Sequence, residues 1–239
     1  TPSYWFAFHI GDGKCVSLHM DGDGIEFRQP IPWDERCFLN KTTSLCDSHV
    51  LEEFRYCYQG DGKFPRAVFL GSDGMDDSYG DGDNLYNFYV QLFKVIIRKG
   101  KDKAYEELKK SLPIISKRGS KDDMSVACVY DDTALNAMFF SLTDYQMEKL
   151  SEQYNSIEEK IAHLTEKIEN FGNPSDQKGQ IELEYAKKDL DRAKDQAMRN
   201  KKRITNLKTE ITKYRNRLKD MVADASPIED DSSLELPTD

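Results

Sequence analysis

Two short segments hold aspartates where a carboxylate can act as a metal ligand: Gly71-Ser72-Asp73-Gly74-Met75-Asp76-Asp77 and Gly119-Ser120-Lys121-Asp122-Asp123-Met124-Ser125. Each sets an aspartate in a tight turn beside a predicted β-strand, residues 67–70 before the first and 126–130 after the second. A carboxylate is a hard oxygen donor that suits Mg²⁺ or Mn²⁺. Two such turns at one sheet edge could hold a metal cluster that hydrolyses a phosphate ester.

The elements that must position these turns can be read from hydrophobic period and turn residues. Tyr4, Phe6, Phe8 and Ile10 alternate with Trp5, Ala7 and His9, which predicts a strand buried on both faces or nearly so. Gly11-Asp12-Gly13 marks a turn, and residues 15–20 are expected to return as the second strand of a hairpin. A further turn at 21–24 leads into Ile25-Glu26-Phe27. Residues 28–46 are loop-like, and 47–58 show weak helical spacing through Val50, Leu51 and Phe54. An amphipathic helix is predicted over 84–98, and a second short helix over 103–112, ended by Pro113. This order suggests sheets flanked by helices rather than a βαβ repeat.

The character changes near residue 140. Leu150, Tyr154, Ile157, Ile161, Leu164, Ile168 and Phe171 form a heptad seam. After a break at 171–176 a second seam runs Leu183, Ala186, Leu190, Ala193, Ala197, Asn200, Ile204, Leu207, Ile211, Tyr214, Leu218, Met221. Two such helices joined by a short loop read as an antiparallel coiled-coil hairpin. The second arm should overshoot the start of the first by roughly 20 Å at ~1.5 Å per residue. That overshoot carries Lys208, Lys213, Arg215, Arg217 and Lys219, and is expected to lie against the acidic globular part or an acidic partner. The domains expected are therefore a globular part over 1–140, a coiled-coil hairpin over 141–222 and an acidic disordered tail over 223–239.

Composition excludes several classes. The 239 residues are 38% hydrophobic and 32% charged, with a net charge of −9, which argues against nucleic acid as a partner. No apolar run is long enough to cross a bilayer. The five cysteines form no C-x-x-C pair, favouring buried thiols in a reducing, cytoplasmic setting. The chain enters a strand pattern at once with no initiator Met, and is expected to be part of a longer protein.

Taken together, Ile10-Gly11-Asp12-Gly13-Lys14, the segment 70–77 and the segment 119–125 resemble the C-terminal half of a type 2C metal-dependent Ser/Thr protein phosphatase over residues 3–131. That family shows a GDSR-like turn, then S-D-G-x-x-D after a strand, then G-S-x-D-N-M-S/T entering the last strand. The resemblance implies an α+β fold, a partial α-β-β-α sandwich of antiparallel sheets flanked by helices. It implies Asp73 and Asp122 as ligands of the first ion of an Mg²⁺ or Mn²⁺ pair. Asp12 and Asp77 match the positions for a third, more weakly held ion. The activity implied is hydrolysis of phosphoserine or phosphothreonine in a phosphoprotein, carried out by the full-length parent and incomplete in this fragment, with no protein nucleophile. The sequence departs from the pattern at Gly13 for Ser, Lys14 for Arg, Asp76 for an aromatic residue and Asp123 for Asn. The N-terminal E-D and D-G-H-G motifs, which supply the second ion's ligands, are absent.

The alternative is a non-catalytic, phosphatase-like scaffold whose coiled coil engages a protein partner or a second copy of the chain. Asp81-Gly82-Asp83-Asn84 resembles the start of a calcium loop, but no Glu follows at the required position. It reads instead as a helix N-terminal loop capped by Asn84 or Asp83. His9, His19 and His49 show no ligand spacing and read as packing residues.

Overall fold

The structure is a computed structural model. It describes residues 4–224 apart from positions 23, 33, 35, 36, 38–41, 81, 136, 173 and 175, and the side chains of 221–224 are also left aside. Nearly all of the expected tail, together with Asp81 and Met221 of the sequence readings, lies outside the described residues or side chains. In chain order the elements are β1 (Trp5–His9), β2 (Lys14–Asp21), β3 (Gly24–Arg28), α1 (Val50–Glu53), β4 (Arg55–Gln59) and β5 (Ala67–Gly71). They continue with α2 (Asp73–Tyr79), α3 (Gly82–Lys99), α4 (Lys101–Arg118), β6 (Val126–Tyr130), α5 (Met138–Phe171) and α6 (Gln177–Asp224). The chain divides into two compact units, Thr1–Lys149 and the part from Leu150 onward.

The first unit contains two antiparallel sheets, as the α+β expectation requires. One is a four-stranded sheet in the order β3-β2-β5-β6, and the other pairs β1 with β4. One face of the larger sheet carries Val16, Leu18, Ala67 and Phe69, which pack against Leu85, Tyr89, Val90 and Phe93 of α3. Phe69 stacks on Tyr89 at 3.9 Å and meets Phe93 edge-on at 5.2 Å. Burying each such ring contributes about 1.5–3 kcal/mol. The other face of β2 is also buried at Cys15 and Ser17. Cys57 of β4 lies near enough to Cys15 to act on its thiol, so the small sheet stacks on this second face.

Four expectations are corrected. First, β1 pairs with β4, Trp5 opposite Gln59 and His9 opposite Arg55, and not with β2. The Gly11–Gly13 segment sends the chain from one sheet into the other. Second, β1 is not buried on both faces, because Phe6 and Phe8 are exposed. A two-stranded sheet has only one covered face. Third, residues 55–59 are strand, and α1 is confined to Val50–Glu53. The alternation Arg-Tyr-Cys-Tyr-Gln sits on a pairing partner, and that long-range contact overrides weak helical spacing. Fourth, Pro113 lies inside α4, which continues to Arg118 and ends where Gly119 N–H bonds the carbonyls of Ile115 and Ser116. Leu108 and Leu112 pack onto the core before and beside the proline, and this burial offsets the lost backbone bond.

In the second unit α5 and α6 are joined by a short connection with Gly172 at φ 54°. Ile157 of α5 packs with Ala193 and Ala197 of α6, flanked by Tyr154 and Ile161. The hairpin therefore closes on itself within one chain along the seam read from the heptads.

Candidate metal centre

Register in the larger sheet decides which loops meet. Gly71, the last residue of β5, sits between Lys14, the first of β2, and Val126, the first of β6. The turn carrying Asp12, the start of α2 carrying Asp73, and the loop carrying Asp122 therefore emerge at one end of the sheet.

Asp73 opens α2, and Asp76 follows in its first turn, where acidic residues favour the helix dipole. The sequence reading placed Asp73 in a tight turn; the chain instead goes directly from strand into helix, which ends at Gly80 in the left-handed region. This helix start is latched to the second segment. Ser72 N–H donates to the Ser125 carbonyl at 3.0 Å. Ser72 Oγ donates to the Asp123 carbonyl at 3.1 Å and accepts from Ser125 N–H at 3.1 Å. Ser78 and Ser120 share a hydroxyl bond of 2.9 Å, and Ser116 Oγ donates to the Asp122 carbonyl at 2.7 Å. A Cβ on Gly74 would stand 2.4 Å from the Asp123 carbonyl oxygen and 3.5 Å from Asp122 Cβ, so glycine permits the approach. One oxygen of Asp73 accepts from Gly74 N–H at 2.7 Å, and one of Asp122 accepts from Asp123 N–H at 2.8 Å.

The Asp12 turn is held from the other side. Thr43 Oγ1 accepts from Gly11 N–H at 2.9 Å, and Arg55 Nη2 donates to the Gly11 carbonyl at 2.5 Å. Arg55 also donates to the Pro32 carbonyl and faces buried Asp34. A Cβ on Gly13 would lie 2.7 Å from the Gly71 carbonyl oxygen, which explains glycine there. Lys14 reaches across to pair with Asp76 on α2.

Asp77 feels the whole neighbourhood. Its carboxyl is pushed above the usual range first by partial burial, then by the negative charges of Asp73, Asp76, Asp122 and Asp12. The other three aspartates singled out in the sequence are thus within electrostatic reach of Asp77. Carboxylates crowded without matching cations are relieved by a divalent ion, and their oxygens are the donors such an ion takes. Among the described residues, however, no group of three or more His, Cys, Asp or Glu side chains is arranged to enclose an ion. The aspartates form an open carboxylate neighbourhood. An Mg²⁺ or Mn²⁺ ion here would keep several waters, as Mg²⁺ commonly does.

Sequence reasoning missed the serine latch, the Arg55 brace and the Lys14–Asp76 pair. Lys14 and Asp76 each stood out as a departure from the family pattern, but their pairing joins residues 62 apart. The histidines behave as packing residues in part: His19 is buried and shares a 3.0 Å bond with Ser17 Oγ. At 82–84 the helix already begins at Gly82, so Asp83 and Asn84 lie in its first turn and not at a cap.

Residues 1–113 match the family model described as Protein phosphatase 2C, and this part of the chain is related to that family. Asp12, Asp73 and Asp77 fall within the match and Asp122 beyond it. No curated protein and no solved structure matches the chain.

Proposed function

We propose that the chain carries part of the metal-binding machinery for Mg²⁺- or Mn²⁺-dependent hydrolysis of phosphoserine or phosphothreonine in proteins. The observation that supports this reading is the junction of α2 with the 119–125 loop, where a Cβ on Gly74, the residue after Asp73, would lie 3.5 Å from Asp122 Cβ although the two segments are far apart in sequence. Asp73 and Asp122 would hold one ion, with Asp12 and Asp77 flanking it. Bound metal would supply Lewis acidity and charge neutralisation for attack of water on phosphorus. The chain's own contribution is to orient the carboxylates: Ser72 and Ser120 fix the loops, the backbone amides of Gly74 and Asp123 fix one oxygen of each ligand, and Arg55 fixes the Asp12 turn. The family relationship supports the reading, since type 2C phosphatases are generally metal-dependent.

The test is Mn²⁺ titration and turnover of a chromogenic phosphate ester by the full chain and by Asp73→Asn and Asp122→Asn. Either variant should lose Mn²⁺ affinity and at least about a hundredfold in turnover, the scale of removing a metal's orienting ligand. Wild-type turnover in both variants would refute the assignment.

A second reading is favoured by the open arrangement of the carboxylates among the described residues: a phosphatase-like scaffold in which the helical hairpin engages a partner. A folded chain that does not bind Mn²⁺ would select it.

A further inference from the structure

Lys14 is the one cation that the fold drives into this carboxylate neighbourhood through a direct side-chain bond among the described residues. It opens β2 directly opposite Gly71, and its ammonium donates to the Asp76 carboxylate on the first turn of α2. The two side chains are only 15% and 24% exposed, so the pair is held by its surroundings. The other cation bracing the Asp12 turn, Arg55, is committed to the Gly11 and Pro32 carbonyls and to Asp34. Lys14 therefore sits at the end of the sheet where Asp12, Asp73, Asp122 and its own partner Asp76 all bear on Asp77.

We propose that Lys14 is a positioning residue of the metal centre, a tethered counter-cation that clamps α2 to the strand leaving the Asp12 turn and competes with divalent ions for the same carboxylates. The inference rests on the metal reading above and adds a sign to it. Removing the ammonium leaves Asp76 bare and deepens the negative potential, so a divalent ion binds more tightly. Removing the Asp76 carboxylate leaves the ammonium rooted at the head of β2, where its charge opposes the incoming ion. Removing both returns the cluster to its original net charge. A purely structural clamp has no such signature, because loss of either partner would loosen the site in the same direction.

Mn²⁺ titration of the full chain, followed by calorimetry or by the electron paramagnetic resonance of free Mn²⁺, separates these cases. Lys14→Met should tighten Mn²⁺ binding about tenfold, and Asp76→Asn should weaken it by a similar factor. The double variant should stay within about twofold of the wild-type chain. Both single variants weakening the affinity, or neither shifting it by more than about twofold, would overturn the proposal. Asp73→Asn and Asp122→Asn are titrated alongside, and a wild-type chain indifferent to them sinks the metal reading itself. In that event the metal-free melts decide. Lys14→Met should melt several degrees below wild type at low ionic strength and recover in about 1 M NaCl, where screening acts within ~3 Å. An equal deficit at both salt concentrations rejects the counter-cation.

Discussion

At the residue scale the site is an exercise in close approach and like charge. Gly74 and Gly13 are glycines because a Cβ at either would strike a backbone carbonyl of the neighbouring segment, at 2.4 Å and 2.7 Å. Asp77 reports on the crowding that results. Its raised carboxyl pKa means that the folded chain binds more protons than the unfolded chain between the ordinary carboxylate value and the raised one. Asp77 therefore makes the metal-free fold lose stability as pH rises through that interval and leaves it lower above. Asp131 and Glu26, held low by hydrogen bonds to Thr133 and Arg28, slope the other way. The difference between wild-type and Asp77→Asn melting temperatures across the acidic range isolates the effect of this carboxyl: the variant should gain on wild type as pH rises. A gap that stays constant would show that Asp77 does not feel its neighbours.

At the scale of elements, the hairpin shows how one polar residue can shape a seam. Asn200 is buried in α6 within a run of Ala186, Ala193 and Ala197, and its amide nitrogen has no hydrogen-bond partner among the described residues. An unpaired buried amide costs about 1–3 kcal/mol. Such a residue commonly sets register at the expense of stability. Asn200→Leu should therefore raise the thermal midpoint of the helices in circular-dichroism melts, by the equivalent of about 1–3 kcal/mol. A lowered midpoint would mean that the side chain is satisfied in solution. In α4, Pro113 makes the complementary point, since packing of Leu108 and Leu112 carries the helix through a residue that breaks it in isolation.

At the scale of the whole molecule, the five thiols chart what the layers cover. Among the described residues all five are free. Cys15 lies between the two sheets and burial raises its thiol to about 11; burial raises Cys128 to about 12. Cys46 is exposed in a loop. Alkylation of the native chain near pH 8 should modify Cys46 first and leave Cys15 and Cys128 until the fold is opened, because only the thiolate reacts. Mass spectrometry of timed samples reads the order, and early loss of Cys15 would contradict the stacking of β1–β4 on β2. The outer face of that small sheet, with Phe8 66% and Tyr56 78% exposed, has no helix layer among the described residues. No described helix is long and apolar enough to cross a membrane.

The residue types at 12, 73, 77 and 122, the strands beside them and the two heptad seams were legible in the order of residues, because a hard donor set, period-two alternation and a 3-4 spacing are local patterns. The pairing of β1 with β4, the continuation of α4 through Pro113 and the Lys14–Asp76 bond were not. Each depends on groups tens of residues apart, and the free energy that selects it comes from burial and charge that exist only after the chain has closed. The meeting of the segments that carry Asp73 and Asp122 belongs to both sides. Its chemistry is written in two short segments, while its geometry comes from the register that sets Gly71 between Lys14 and Val126.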